Sequence, residues 1–273
     1  MAVNDNFRPA YAVLGSTGNC GTALIQNLLK SPHNTIHAYC RNQAKLHRLL
    51  PEVVDSKQVR VFEGSIRDAE LMTECVRGTK AVFMTVTTND NVPGCRLNQD
   101  TAAIVIQALE RIKAESLTGS GLKLPKVILL SSAAIDDNLS RHTPWWFRPV
   151  LLTAASNVYS DLRVAEQILR SQSDWVSSIF IKPGGLSVDV PRGHRLAFDG
   201  ENIFLSYSDL SAGMIEAADD GAGRYEGRNV GVVNAKSGVG AKLPRRTLLA
   251  VLVGVARHFC PWLHPYLPTA VPT

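Results

Sequence analysis

Apolar residues recur along the first two thirds of the chain in two alternating rhythms. Short, near-continuous runs appear as YAVLG (11–15), TIHAYC (35–40), VRVF (59–62), AVFMTV (81–86), KVILLSS (126–132) and VSSIFIKP (176–183). Between them lie TALIQNLLK, AKLHRLL, DAELMTECV, a long segment within 97–115, and SNVYSDLRVAEQILR at 156–170. In TALIQNLLK the pairs Leu24/Leu28 and Ile25/Leu29 repeat at i, i+4, which stacks them on one helical face. The runs with little polar alternation predict strands covered by helices on both sides. Their strict alternation with helices predicts an α/β fold, a Rossmann-type doubly wound parallel sheet.

Two stretches interrupt the rhythm. SLTGSGLKLP (116–125) predicts an exposed loop. DDNLSRHTPWWFRPVLLTAAS (136–156) is too long for an idle connection and sets Trp145, Trp146 and Phe147 between Pro144 and Pro149. Beyond residue 185 the pattern loosens into a hairpin near 195–205, a helix around 209–218, a strand NVGVV and an apolar tail. With no repeat or linker, the chain reads as one domain over 1–273, with 185–273 as a small C-terminal elaboration.

Charge and composition narrow the function classes. The net charge of +5 favours anionic ligands, but no basic run exceeds the Arg245-Arg246 pair, so a nucleic-acid patch is not indicated. Cysteines 20, 40, 75, 95 and 260 form no CxxC pair, and their odd number suits free thiols in a reducing compartment. The polar start MAVNDNFRPAY lacks the apolar core of a signal peptide. The longest apolar run, LLAVLVGVA, has nine residues where a spanning helix needs about 20. The expected protein is cytoplasmic, a monomer or homodimer, without an integral membrane segment or a metal site.

GSTGNCG (15–21) follows the first strand and opens the first helix. Gly15, Gly18 and Gly21 at spacing three allow a sharp turn and a close approach of backbone to a pyrophosphate. The helix N-terminus adds unpaired N–H groups and partial positive charge. The second strand ends in Cys40-Arg41-Asn42 rather than in the acid that binds an NAD ribose. A guanidinium there suits a 2′-phosphate, so NADP(H) is the expected cofactor.

With GxxGxxG after strand one, GSIRD (64–68) after strand three and LLSSA (129–133) at strand five, the chain resembles the atypical short-chain dehydrogenase/reductases, in particular their NmrA-like, NAD(P)H-binding branch. That likeness covers about residues 10–235. The segment 130–235 further resembles fungal oxidoreductases of the averufin oxidase type from aromatic polyketide pathways. The resemblance implies that Thr17, Gly18, Asn19 and Cys20 surround the pyrophosphate and that Arg41 takes the 2′-phosphate. It implies that Ser65 and Ile66 border the adenine and that Thr85 and Val86 line the cofactor path. Ser131 and Ser132 would then lie at the nicotinamide end, with Pro183-Gly184 near the carboxamide and Lys182 within reach of the cofactor.

Short-chain dehydrogenases use Tyr-x-x-x-Lys, whose spacing places both side chains on one helical face. Here Tyr159 is followed by Arg163, which supplies permanent charge but cannot relay a proton. The opposing reading is a solvated polar face of Tyr159, Arg163, Glu166 and Arg170, in which Glu166 neutralises Arg163. His142 is the second candidate acid/base. The Trp-Trp-Phe run reads either as a lid over a flat aromatic substrate or as packing of the insertion. Asp136 and Asp137 read as a turn or cap. The apolar tail reads either as lying on a membrane surface or as closing the substrate pocket; its apolar residues surround the helix rather than forming a narrow stripe, which favours docking on the body or a second subunit.

The function expected from these features is NADP(H)-dependent oxidation or reduction of a carbonyl, quinone or enone of an aromatic polyketide. Tyr159 or His142 would handle the proton, and Ser131 or Ser132 would polarise the oxygen. Two rivals keep the fold: an NADP(H) sensor that regulates a partner, and an isomerase, dehydratase or cyclase.

Overall fold

The computed structural model describes residues 8–116, 123–200, 204–236 and 247–269. Strands β1 (Ala10–Leu14), β2 (Thr35–Cys40), β3 (Val59–Glu63), β4 (Ala81–Met84), β5 (Lys126–Leu130) and β6 (Ser178–Ile181) alternate with helices. These are α1 (Asn19–Leu29), α2 (Gln43–Leu49), α3 (Ala69–Val76), α4 (Leu97–Glu115), α5 (Phe147–Ala154) and α6 (Ser156–Arg170). After them come β7 (Leu186–Ser187), β8 (His194–Ala197), β9 (Leu205–Ser206), α7 (Tyr207–Asp219), β10 (Asn229–Asn234) and α8 (Thr247–Phe259).

The main sheet runs β3-β2-β1-β4-β5-β6-β10-β8, parallel throughout except for β8 against β10. The strand order reverses between β1 and β4, where such sheets leave a crevice at their carboxyl ends. Side chains of β1 alternate across it. Tyr11 and Val13 join one buried layer with Leu24, Ile25, Leu28 and Met214 of α1 and α7. Ala12 and Leu14 join the opposite layer with Met72, Val105, Leu109 and Leu169 of α3, α4 and α6. Each fully buried Leu or Met contributes about 1.5–3 kcal/mol relative to exposure.

Helix α4 begins without a cap of its own, at Arg96. Asp161 of α6, 1% exposed, supplies one: its carboxylate accepts from Asn98 N at 2.8 Å and Gln99 N at 2.9 Å. That bond fixes α6 against α4 through the helix's unpaired N–H groups.

The expected hairpin near 195–205 does not form. β8 pairs with β10, and β9 pairs in parallel with β7 in a separate two-stranded sheet. The sequence shows local apolar content there but not the partner, which lies 34 to 40 residues on. The expected loop at 116–125 falls largely outside the described residues. No helix among the described residues is long and apolar enough to cross a membrane.

Candidate functional site

The loop between β1 and α1 sits over the crevice. Gly15 has φ +91°, and a Cβ there would lie 2.9 Å from the Thr85 carbonyl oxygen of the neighbouring strand's end. At Gly21 a Cβ would stand 2.2 Å from the Gly15 carbonyl oxygen, so the first turn of α1 folds directly onto the loop. Gly18 caps α1 without a side-chain acceptor, leaving its first N–H groups without a side-chain cap. The cradle's size and its backbone donors fit a pyrophosphate.

Tyr39 ties three loops together. Its carbonyl accepts from Gly15 N and Ser16 N, both at 3.2 Å, and its phenol donates to the Ser65 carbonyl at 2.7 Å. Burial pushes that phenol up to about 12, so it stays a donor. The first, second and third strand ends therefore share one rim. Arg41 and Ser65 are exposed on it and Ile66 is half-buried. Asn42 accepts from Lys45 N at 2.7 Å and caps α2, which leaves Arg41 as the cation of that strand end.

Around the cradle, Thr17 is half-buried, while the Asn19 side chain bonds the Tyr207 phenol. The Cys20 side chain points into the core, 3.7 Å from Met214 Sδ, and burial pushes its thiol up to about 12. Only its backbone can face a phosphate. Thr85 donates its hydroxyl to Leu14 O at 2.7 Å and is buried, so its contribution to a cofactor path is likewise backbone; Val86 is half-buried beside it.

At the ends of β5 and β6 the structure corrects several side-chain roles. Lys182 is 2% exposed and its ammonium pairs with Glu166, 2.8 Å from Oε1 and 3.0 Å from Oε2. It is committed inside the protein rather than reaching for a cofactor. Ser131 donates to Glu166 Oε1 at 2.6 Å. Glu166 therefore faces inward and does not neutralise Arg163, which is exposed. A carboxylate buried with an ammonium and a hydroxyl has its charge met, which a solvated helical face would not require. Asp136 completes the cluster 3.8 Å from Lys182 and accepts from Asn138 N, Leu139 N and Asn229 Nδ2. It is the turn-capping acid its sequence suggests.

Ser132, half-buried, accepts from Ala134 N at 3.3 Å and caps a short 3-10 turn, an arrangement that leaves its proton to donate elsewhere. Pro183 accepts from Ala133 N at 2.9 Å, holding the β5 and β6 ends together, and Gly184 beside it is half-buried.

Tyr159 is half-buried in the first turn of α6. The same end of that helix is gripped by Asn91, from the loop after β4. Asn91 Oδ1 accepts from Asn157 N at 2.8 Å, and its amide donates to Ser156 Oγ and to Gly254 O of α8. Arg257, 1% exposed, pairs with Asp90 at 2.5 Å and donates to Pro268 O. Thus α8 is locked onto the strand-end side beside Tyr159. His142 is exposed on the insertion and accepts from Arg141 Nε at 3.1 Å. Trp145 and Trp146 are exposed as well, while Phe147 is half-buried with its ring centroid 5.5 Å from that of Trp146.

A glycine cradle at the switch point of a parallel sheet, beside a helix N-terminus that has no side-chain cap, defines a dinucleotide-binding protein of the Rossmann class. A family described as NAD(P)H-binding matches residues 15–220, and the chain belongs to it. It is 70% identical over 222 residues to the oxidoreductase dmxR7 of Cryptosporiopsis sp., covering 81% of this chain and 92% of that one. With the oxidoreductase tpcG of Aspergillus fumigatus it shares 58% identity over 262 residues, covering 96% and 97%. In fold it is similar to a short-chain dehydrogenases/reductase of Veillonella parvula solved in complex with NADP. The TM-score is 0.67 at 18% identity, over 88% of this chain and 100% of the other.

Among the residues that sequence reasoning missed, Tyr39 and Asn91 are central. Neither belongs to a spaced motif; each matters through contacts between distant loops.

Proposed function

We propose that this chain is an NADP(H)-dependent oxidoreductase acting on a carbonyl, quinone or enone of an aromatic polyketide in fungal secondary metabolism. The reading rests on the glycine cradle that follows β1, with Ser132 following β5 and Tyr159 lying in the first turn of α6. Relatives named oxidoreductase, matched over nearly their whole length, support the redox class. Arg41 at the end of β2, with no acid there, favours the 2′-phosphorylated cofactor, and the fold neighbour's bound NADP agrees.

Bound NADP(H) would supply or accept the hydride. The chain's residues hold the pyrophosphate at the cradle and the 2′-phosphate at Arg41. Ser132 donates a hydrogen bond to the substrate oxygen. Tyr159 gives that oxygen its proton in reduction, or takes it in oxidation. Ser131 and Lys182 hold the strand ends in place behind it through Glu166.

The test is turnover of purified protein with NADPH and a panel of anthraquinones, anthrones and xanthones, followed at the reduced-nicotinamide absorbance beside product analysis. Consumption of NADPH that collapses in Tyr159→Phe is expected. Tight NADPH binding without conversion of any panel member would favour the sensor reading, to which one observation lends weight: Arg163 is exposed and forms no ion pair among the described residues.

A further inference from the structure

Among the described residues Phe204 is the only one with a side chain to hold a positive φ, at +65°. There a Cβ crowds the backbone, and for an aromatic residue the conformation is a true outlier. Such strain persists only where the surrounding structure over-determines the chain, and it gathers at ligand sites. The chain after Phe204 is fixed in this way. Leu205, fully buried, donates its N–H to the Gly185 carbonyl at 2.9 Å and pairs with Leu186 of β7. Ser206 caps α7 by accepting from Asp209 N at 3.0 Å, and the Asp209 carboxylate accepts from Arg192 N at 2.7 Å.

The strained side chain is not a core residue. Phe204 is half-buried and, among the described residues, joins neither buried layer of the main sheet. Its ring lies against Gly185, where a Cβ would stand 3.4 Å from two ring carbons. Gly185 is exposed and follows Pro183-Gly184 at the end of β6. Three residues beyond Phe204, the Tyr207 phenol bonds the Asn19 side chain of the cradle. Phe204 therefore stands in the segment that joins the pyrophosphate loop to the end of β6.

A dinucleotide lies across the switch point, with one nucleotide over each half of the sheet. With the 2′-phosphate at Arg41 of the β2 end, as proposed above, the nicotinamide half extends over β4, β5 and β6. Helix α7, which follows Phe204, packs with α1 in one buried layer. Helix α6, with Tyr159 in its first turn, packs with α4 in the opposite one. We infer that Phe204 is a binding residue for the nicotinamide ring of NADP(H), an aromatic platform behind the face turned away from Tyr159. An aromatic face carries negative potential and the oxidised nicotinamide is a planar cation, so the two attract when stacked. Covering one face leaves the other for the substrate. The inference rests on the reading of the chain as an NADP(H) oxidoreductase, but on no particular substrate.

The test is calorimetric titration of the full chain with NADP+ and with 2′-phospho-ADP-ribose, the same molecule without its nicotinamide. Phe204→Gly removes the ring, and glycine accepts the positive φ without strain. We expect this variant to bind NADP+ about 3- to 10-fold more weakly, the range of one aromatic stacking contact. Its affinity for 2′-phospho-ADP-ribose should match the parent's, which also reports that its cradle is folded. Phe204→Tyr keeps the ring and should bind both ligands as the parent does. Unchanged NADP+ affinity in Phe204→Gly would overturn the inference. Equal weakening of both ligands would also overturn it, because the residue would then act on the cradle through Tyr207. A parent that binds neither ligand would overturn the NADP(H) reading itself, and the inference with it.

Discussion

The Ser131 hydroxyl donates to Glu166 Oε1 across 2.6 Å, and both residues are buried. That bond uses the one proton Ser131 can donate. Among the described residues its neighbour Ser132 is bonded as an acceptor, from Ala134 N, which leaves its hydroxyl proton for the substrate oxygen of the proposed reaction. Two adjacent serines at the end of β5 are thereby given different work.

The first prediction follows from this division. Ser132→Ala should lower kcat by about 10²-fold, the usual loss for one hydrogen bond to a developing oxyanion. Ser131→Ala should leave kcat within a few-fold and cost about 1.5–3 kcal/mol of stability, the range for a hydrogen bond to a charged group. Steady-state kinetics and urea unfolding of the two variants check both, and a larger kinetic loss in Ser131→Ala would reverse the assignment.

Glu166→Ala should be far more damaging to the fold. It leaves the Lys182 ammonium, 2% exposed, with only Asp136 at 3.8 Å. Breaking one side of a buried pair costs about 3–5 kcal/mol. The urea midpoint should fall accordingly, whereas Arg163→Ala, at an exposed position, should leave it unchanged.

Arg41→Ala should raise KM for NADPH by about 10- to 100-fold, from the loss of a charged hydrogen bond. KM for NADH should change little, because that cofactor has no 2′-phosphate. Equal effects on the two cofactors would remove Arg41 from the phosphate site.

Burial also leaves a signature in pH and thiol chemistry. The folded protein holds the Cys20 proton up to about 12, above the ordinary value of 9.0. The unfolded chain loses that proton first, so stability is full below pH 9 and declines as pH rises toward 12. The stability difference between the parent and Cys20→Ala should therefore shrink over that range. In the native state a thiol reagent should reach Cys95 and Cys260 but spare Cys20, Cys40 and Cys75, which are buried.

Much of the fold was legible because its rules are local. The i, i+4 pairs of α1, the unalternating strands and the GSTGNCG loop each depend on a few consecutive residues. The strand order that sets the switch point is seen only in the structure, whereas the close packing of the loop follows from its glycines. Side-chain commitments were less legible. Nothing near Lys182 in sequence shows that Glu166 and Asp136 will enclose it. Glu166 follows Arg163 by three residues, a spacing that suggests a surface pair, yet the packing of α6 on β5 and β6 turns the carboxylate inward. The hairpin near 195–205 failed for a related reason: β8 takes its partner from residues that follow α7. Cys20 sits inside the phosphate motif, but helical periodicity sends its side chain to Met214.

The most direct measurement is the fate of the transferred hydrogen. NADPH carrying deuterium at nicotinamide C4 would be turned over with whichever panel compound is converted, and the product analysed by mass spectrometry and NMR. Hydride transfer predicts one deuterium on the product carbon for each NADPH oxidised, with transfer from one face of the ring. Product that forms unlabelled, with the cofactor unchanged, would contradict an oxidoreductase and leave an isomerase or cyclase on the same fold.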